Sequence, residues 1–279
     1  MKEKIIAIGA LGGSGTRAVA ELFIRLGIYM GDDLNEPNDN LLFTRLFKNP
    51  LWHQKTSIEE KNKRLELFSN YMKSGHLNLN EYIELCKASN SNAAIDTSII
   101  YYLKKTSALW DSKKALRIWG WKEPNTQIYT EEILDFFPKL KYIHVIRHGL
   151  DMAFSNNRQQ LNNWGWKYDI HLDGTENKSQ LAQKQLEYWV QSTKDVLKKS
   201  EKFKSRVLIL NHSNFCNNPK SEIDAILRFT EIECSEELLN ELYKIPKNAG
   251  TNNRYKNKDL SIFSSEQLAF VNEMGFEID

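Results

Sequence analysis

The sequence has few cysteines and almost no excess of one charge, and both shortages limit what the protein can be. The 279-residue chain holds three cysteines, Cys86, Cys216 and Cys234. An odd, widely spaced set forms neither a disulfide framework nor a zinc pattern, so we expect a reduced, cytoplasmic protein. The formal net charge is only +2. Nucleic-acid binders usually carry a strong basic excess, so we expect no nucleic-acid partner.

Long apolar runs are also missing. No stretch approaches the roughly 18 apolar residues that a membrane span requires, so we expect no membrane span. The apolar residues 5–8 are followed at once by Gly9, Gly12 and Gly13, which is too early for the core of a signal peptide. We interpret residues 5–8 as a first β-strand. Without repeats or Pro/Ser-rich linkers, residues 1–279 are predicted to form a single domain.

Short apolar runs alternate with helical patterns along the chain. The runs cover residues 5–8, 93–95, 116–121, 142–146 and 207–210, and the helical patterns cover residues 15–26, 181–197 and a segment that begins at Pro219. The runs are apolar at consecutive positions, as in strands buried on both faces. This alternation predicts an α/β fold, an open parallel sheet flanked by helices on both faces. Ligands of such folds bind at the carboxyl ends of the strands.

Residues 32–92 lack this alternation. They carry aromatic side chains at Phe43, Phe47, Trp52, Phe68, Tyr71 and Tyr82. We predict a helical insertion that covers the mouth of the sheet. The alternative is a set of core helices with no role in the site.

A glycine-rich turn joins the first strand to the first helical pattern. It contains Gly12, Gly13, Ser14, Gly15, Thr16 and Arg17. Glycines let successive backbone N–H groups point at an anion, and a helix start adds partial positive charge. A tight turn alone explains only some of these glycines, so the turn predicts a phosphate-type site. It departs from the standard P-loop, because Thr16 stands where that pattern requires lysine.

A second anion site is predicted at the end of the run 142–146. Arg147 closes that strand, and Ser155 lies eight residues later in a predicted helix that begins near Asp151. An arginine fork suits the charge of a phosphomonoester. Arg147 and Ser155 are therefore expected to hold one phosphate together.

These motifs, taken in order, resemble the sulfotransferases that use 3′-phosphoadenosine 5′-phosphosulfate (PAPS). Ser14-Gly15-Thr16 is similar to the core of the family's 5′-phosphosulfate loop, and Arg147 with Ser155 to its 3′-phosphate pair. Residues 120–125 resemble the Lys-acidic-Pro motif of the tyrosyl-protein, carbohydrate and bacterial branches. Residues 207–219 resemble a late strand leading to a proline, and residues 252–255 a basic segment that closes over the nucleotide.

The resemblance implies a P-loop-NTPase-like fold and transfer of a sulfuryl group from PAPS, without a metal, to a small-molecule or glycan acceptor. The residues implied in nucleotide binding are Gly12, Gly13, Ser14, Gly15, Thr16, Arg17, Arg147, Ser155 and Arg254. Gly13 stands where the family has a basic residue, so Arg17 and Lys122 are predicted to supply that charge in catalysis. His212 replaces the tyrosine of the late motif.

The transfer needs a general base for the acceptor proton. Carboxylates cluster after the first helix, at Asp32, Asp33, Glu36 and Asp39. The tyrosyl-protein branch has a glutamate at about this distance from its loop, so Glu36 is the first candidate and Asp33 the second. A solvated acidic loop is the alternative. His53 and His148 are weaker candidates, and Trp164 with Trp166 line either an acceptor pocket or the core.

Two other functions fit parts of the sequence. A metal-dependent P-loop kinase would use Asp96 to hold magnesium, although the loop lysine is missing. An inactive nucleotide-binding relative would explain Gly13 in place of a basic residue. The abundance of Asn, Lys and Ile suggests a microbial, bacterial source.

Overall fold

Four parallel strands form one sheet in the computed structural model, which describes residues 3–89, 116, 118–248, 250 and 252–278. They are β1 (Lys4–Ala10), β2 (Ile118–Lys122), β3 (Leu140–Ile146) and β4 (Val207–Asn211), in the spatial order β2-β1-β3-β4. The prediction of an open parallel sheet is confirmed. The run predicted at residues 93–95 and the candidate Asp96 lie outside the described residues.

Helices follow the strands as buried parallel sheets require. In chain order they are α1 (Thr16–Arg25), α2 (Leu41–Phe47), α3 (Pro50–Lys55), α4 (Ile58–Ser74), α5 (Leu79–Ser89), α6 (Thr130–Phe136), α7 (Gly149–Ala153), α8 (Gln159–Trp164), α9 (Lys178–Phe203), α10 (His212–Asn217), α11 (Pro219–Thr230), α12 (Glu236–Leu242) and α13 (Ser265–Glu273). Short 3₁₀ turns cover Pro124–Tyr129, Gly165–Tyr168 and Lys204–Arg206. Within the described ranges, none of the helices is both long and apolar enough to cross a membrane.

Both faces of the sheet are covered because side chains alternate along each strand. From β1, Ile6 and Ile8 join one buried cluster with residues of α1 and α11, whereas Ile5 and Ala7 join another with residues of α2, α4 and α9. This confirms the predicted helices on both faces.

In the segment between α1 and β2, the helices α2, α3 and α4 each begin at a polar N-cap residue. The side chains of Asn40, Asn49 and Ser57 accept hydrogen bonds from backbone N–H groups in the first turns of α2, α3 and α4, which satisfies N–H groups that a helix start leaves free. The segment is thus helical over α2 to α5. Its status as an insertion into a single domain stays a prediction.

Phe43 joins this helical segment to the sheet. Its buried ring stacks on Phe47 at 4.5 Å and on Trp121 of β2 at 5.5 Å, and meets Phe68 edge to face at 5.4 Å. Aromatic pairs of this kind contribute beyond their buried area. The helices α2 and α4 therefore hold the end of β2 in place.

We expect Phe43→Ala to lower the free energy of unfolding by about 3–5 kcal/mol, because it removes a fully buried ring and leaves a cavity. Urea denaturation measures this loss. Leu51→Ala serves as the control, since Leu51 is 66% exposed and its truncation should change stability by less than about 0.5 kcal/mol. Similar losses in the two variants would contradict this packing.

Candidate functional site

The carboxyl ends of all four strands converge on one cavity of about 470 Å³. β1 leads to Gly12, β2 ends at Lys122, β3 leads to Arg147 and β4 leads to His212. The complete lining is Gly12, Gly13, Gly15, Thr16, Arg17, Pro37, Asp39, Lys48, Lys122, Glu123, Pro124, Asn125, Arg147, Asn157, Gln159, Gln160 and His212. Most of the loop residues predicted from the sequence, with Lys122 and Arg147, therefore share one site.

The glycine-rich turn presents the start of α1 to this cavity. Gly13 and Gly15 have φ angles of 93° and 90°, a region that glycine enters without steric cost. No side chain among the described residues caps α1, and its first residues, Thr16 and Arg17, line the cavity. An uncapped helix start is an anion-binding element. Ser14 is 2% exposed and is not part of the lining.

Gln160, in α8, holds the glycine-rich turn by hydrogen bonds to its backbone. Its Oε1 accepts a hydrogen bond from Gly12 N at 2.7 Å, and its Nε2 donates to the Ala10 carbonyl at 3.2 Å. Asn125 Oδ1 accepts hydrogen bonds from Gln160 Nε2 at 3.3 Å and from Trp164 Nε1 at 2.8 Å. This network connects the loop after β1 to the motif after β2. Sequence reasoning missed it, because amide side chains carry no spacing signal.

Lys122 and Asp39 form a buried ion pair in the cavity. The Lys122 ammonium also donates to the Pro37 carbonyl, and Asn40 N donates to the Lys122 carbonyl at 2.7 Å. Burial lowers the pKa of Lys122 below its ordinary value, while the Asp39 charge opposes that shift. The segment before α2 is therefore tied to the end of β2, and it brings Asp39 into the site.

The two carboxylates predicted as the base, Glu36 and Asp33, are not among the residues that line the cavity, and their catalytic role stays a prediction. Glu36 is 86% exposed and pairs with Arg17 at 3.2 Å. Asp33 pairs with Arg45 at 2.6 Å. Arg17 lines the cavity, so Glu36 borders the site through this pair, whereas neither Asp33 nor Arg45 is part of the lining. Among the described residues, the carboxylates that line the cavity are Asp39 and Glu123.

Glu123 is the most deeply buried of these carboxyls, with 2% of its surface exposed. Its Oε1 accepts a hydrogen bond from Asn125 Nδ2 at 2.8 Å, and its Oε2 has no hydrogen-bond partner in the described part of the chain. Burial raises the pKa of Glu123 to about 7. This carboxyl can therefore exist in either protonation state near neutral pH, a property the sequence did not reveal.

Arg147 and Ser155 do not meet in the cavity. Arg147 donates to the Gly13 carbonyl at 2.9 Å and to Asn252 Oδ1 at 2.5 Å. Helix α7 ends at Ala153, so the prediction that Ser155 lies inside this helix is wrong. Gln185 Nε2 contacts the carbonyls of Met152, Ala153 and Ser155 at 2.8–3.0 Å and so satisfies the end of the helix.

Ser155 instead lines a separate cavity of about 460 Å³. Its wall includes Phe154, Arg158, Lys178 and Lys258. Ser155 Oγ accepts a hydrogen bond from Asn157 N at 3.1 Å. Arg147 and Ser155 thus line two different cavities, and their joint contact with one phosphate stays a prediction.

The C-terminal segment is anchored beside Arg147 by its backbone. Asp151 accepts hydrogen bonds from Asn253 N at 3.1 Å and from Arg254 N at 2.8 Å. The predicted side-chain contribution of Arg254 is not seen in the cavity lining. The His148 ring packs in a tilted arrangement on Tyr255, with ring centroids 4.4 Å apart, and its side chain caps α7. The position of His148 is thus explained by packing.

The other candidate rings lie in or near the core. His53 packs edge to face on Tyr129 and Trp164, and burial lowers its pKa to about 4. Trp164 is fully buried, and Trp166 packs partly buried against the same core. His212 lines the cavity, where burial and then the charge of Arg147 lower its pKa to about 4. A neutral ring therefore occupies the position of the family's tyrosine.

The His212 ring covers Gly15, and a matched pair of variants tests this contact. A methyl group at Gly15 would overlap the ring, whereas a methyl group at Gly13 would meet open space. Both positions have positive φ, which costs a side chain about 1–2 kcal/mol. In urea denaturation, we expect Gly13→Ala to lower the free energy of unfolding by about 1–2 kcal/mol and Gly15→Ala to lower it further. Adding His212→Ala to Gly15→Ala should remove that further loss. Equal losses without relief would contradict the contact.

Comparison with protein families gives a match to the model of the "Sulfotransferase family" over residues 31–236. No curated protein sequence matches the chain.

Two solved structures with a similar fold are sulfotransferase domains. The domain from the Synechococcus PCC 7002 olefin synthase aligns with a TM-score of 0.54 and 12% identity over 100% of this chain and 98% of that one. The sulfotransferase domain from the curacin biosynthetic pathway aligns with a TM-score of 0.51 and 13% identity over 100% and 99% of the two chains. At this identity the likeness concerns the fold, and it confirms the predicted P-loop-NTPase-like architecture.

Proposed function

Because the chain belongs to the sulfotransferase family, we propose that it moves a sulfuryl group from PAPS to a hydroxyl or amine of an acceptor. One observation carries the proposal. The uncapped start of α1 lies in the same cavity as the cations Arg17, Lys122 and Arg147, at the carboxyl ends of the strands. This arrangement fits a ligand with several negative charges.

The residues present fit such a donor. The cavity volume of about 470 Å³ is in the range of small-molecule sites. The N–H groups at the start of α1 and the Arg17 guanidinium would hold the 5′ end, and Arg147 a second phosphate. PAPS supplies an activated sulfuryl group, whose transfer, like phosphoryl transfer, depends mainly on positioning and electrostatics. The independence from metal stays a prediction.

Lys122 and Asp39 are proposed to have different roles in the transfer of the sulfuryl group. In the transfer, a bond forms between sulfur and the acceptor oxygen or nitrogen while the bond from sulfur to the 5′-phosphate oxygen breaks. The Lys122 ammonium stabilises the charge that develops on the phosphate. The acceptor proton passes to Asp39, which the ion pair already holds beside that ammonium. Asp39 thus takes the role predicted for Glu36 and Asp33.

The kinase alternative is not favoured by the family match. An inactive relative would bind the nucleotide without turnover, so measured transfer distinguishes it from an enzyme. Arg17 and Lys122 are the proposed replacements for the basic residue that Gly13 displaces.

The donor assignment is tested by the affinity for 3′-phosphoadenosine 5′-phosphate (PAP) and for AMP, which lacks the 3′-phosphate. Arg147→Ala should weaken PAP binding about 10- to 100-fold, because a charge-assisted hydrogen bond is worth about 1.5–3 kcal/mol, and should change AMP binding little. Isothermal titration measures both affinities, and Arg25→Ala, on the exposed side of α1, is the control. Equal losses for the two nucleotides would remove Arg147 from the 3′-phosphate site.

The base is tested by comparing Asp39→Asn with Glu36→Gln. Removal of a general base costs about 10²- to 10⁴-fold in turnover, so Asp39→Asn should lose at least 100-fold while still binding PAP. Glu36→Gln should keep turnover within about threefold, since Glu36 lies outside the lining. If Asp39→Asn turns over at the wild-type rate, Asp39 is not the base.

A further inference from the structure

The cavity has two chemically different ends. At one end Arg147 contacts the Gly13 carbonyl, and its charge acts on His212, whose ring covers Gly15. At the other end the charges of Asp39 and Lys48 act on Glu123. Lys122 lies between the two ends, because it pairs with Asp39 and experiences the charge of Arg17. The first end suits the donor, which leaves the second for the acceptor.

Lys48 is the cation of the second end. It follows α2, and its ammonium donates to Gln159 Oε1 at 2.8 Å. Within the described chain, Lys48 is held by this neutral amide and not by a carboxylate. A lysine ammonium that lines a cavity is suited to an anionic group of a ligand.

The neighbours of Lys48 are polar. Asn125, Gln159 and Gln160 line the cavity with amide groups, which both donate and accept hydrogen bonds. Asp39 and Glu123 add carboxyl groups to the lining. A ligand with several hydroxyl groups matches these donors and acceptors.

We propose that the end of the cavity that contains Lys48 binds the acceptor, an inference that rests on the proposed function. The acceptor is a carbohydrate-type polyol, and it bears a carboxylate or sulfate group that contacts Lys48. Its hydroxyl groups pair with the Gln159 amide and the Asp39 carboxylate, because the amides of Asn125 and Gln160 are engaged in the network that holds the glycine-rich turn. An apolar acceptor such as a steroid or simple phenol would desolvate these polar groups without replacing their hydrogen bonds, which is unfavourable.

The acceptor class is tested with ³⁵S-labelled PAPS and three probes of increasing polarity. They are 4-nitrophenol, a neutral oligosaccharide, and an oligosaccharide of equal length that contains glucuronic acid, with a sulfated analogue to distinguish the two anionic groups. We expect labelling of the acidic oligosaccharides with a kcat/KM at least tenfold above that of the neutral one. Preferential labelling of 4-nitrophenol would overturn the proposal.

The role of Lys48 is tested by Lys48→Gln. We expect KM for the acidic oligosaccharide to rise about tenfold, with less than a threefold change for the neutral one and an unchanged KM for PAPS. Lys55→Gln, which removes an exposed lysine at the end of α3, should match the wild type. An equal change for both oligosaccharides would overturn the contact with Lys48.

Different results would contradict the acceptor class and the donor assignment. If PAPS raises the melting temperature but neither oligosaccharide is labelled or bound by the PAP complex, the acceptor class is wrong and the donor assignment stands. If PAPS neither binds nor transfers its label to any probe, the proposed function fails and the acceptor class falls with it.

Discussion

Parallel pairing of all four strands is the constraint on which the site depends. Because every strand runs in the same direction, all four end at one edge of the sheet. Gly12, Lys122, Arg147 and His212, separated by up to 200 residues in the chain, therefore line one cavity. The alternating burial of β1 secures this geometry, since one set of side chains packs on α1 and the other on the helices that follow it.

Burial of charge gives this edge its chemical character. Lys122 is only 1% exposed, and a buried ammonium without a partner would be costly. Asp39 compensates it, and the hydrogen bond from Asn40 N to the Lys122 carbonyl fixes where Asp39 can lie. A carboxylate and an ammonium are thus kept together in the cavity. In the part of the chain that the structure describes, no cation contacts Glu123 directly, and burial raises its pKa.

Neutral amide side chains fix the positions of the loops that carry the charged groups. Gln160 contacts the loop after β1 at Gly12 and Ala10, and it reaches Asn125 after β2. Such a network resists distortion because each buried donor or acceptor that loses its partner costs free energy. The same group of residues borders the end of the cavity that contains Lys48. The network that holds the glycine-rich turn is therefore also part of the cavity wall.

The sequence by itself determined the strands, the glycine-rich turn and the family. These features depend on local apolar patterning, on glycine's backbone freedom and on short motifs such as that at Lys122. Only the tertiary structure decided which carboxylates reach the cavity, because Asp33, Glu36 and Asp39 lie close together in the chain and differ in the cations they meet and in their exposure. It also decided that α7 ends before Ser155, since the carbonyls there are satisfied by Gln185, a residue 30 positions away in the chain.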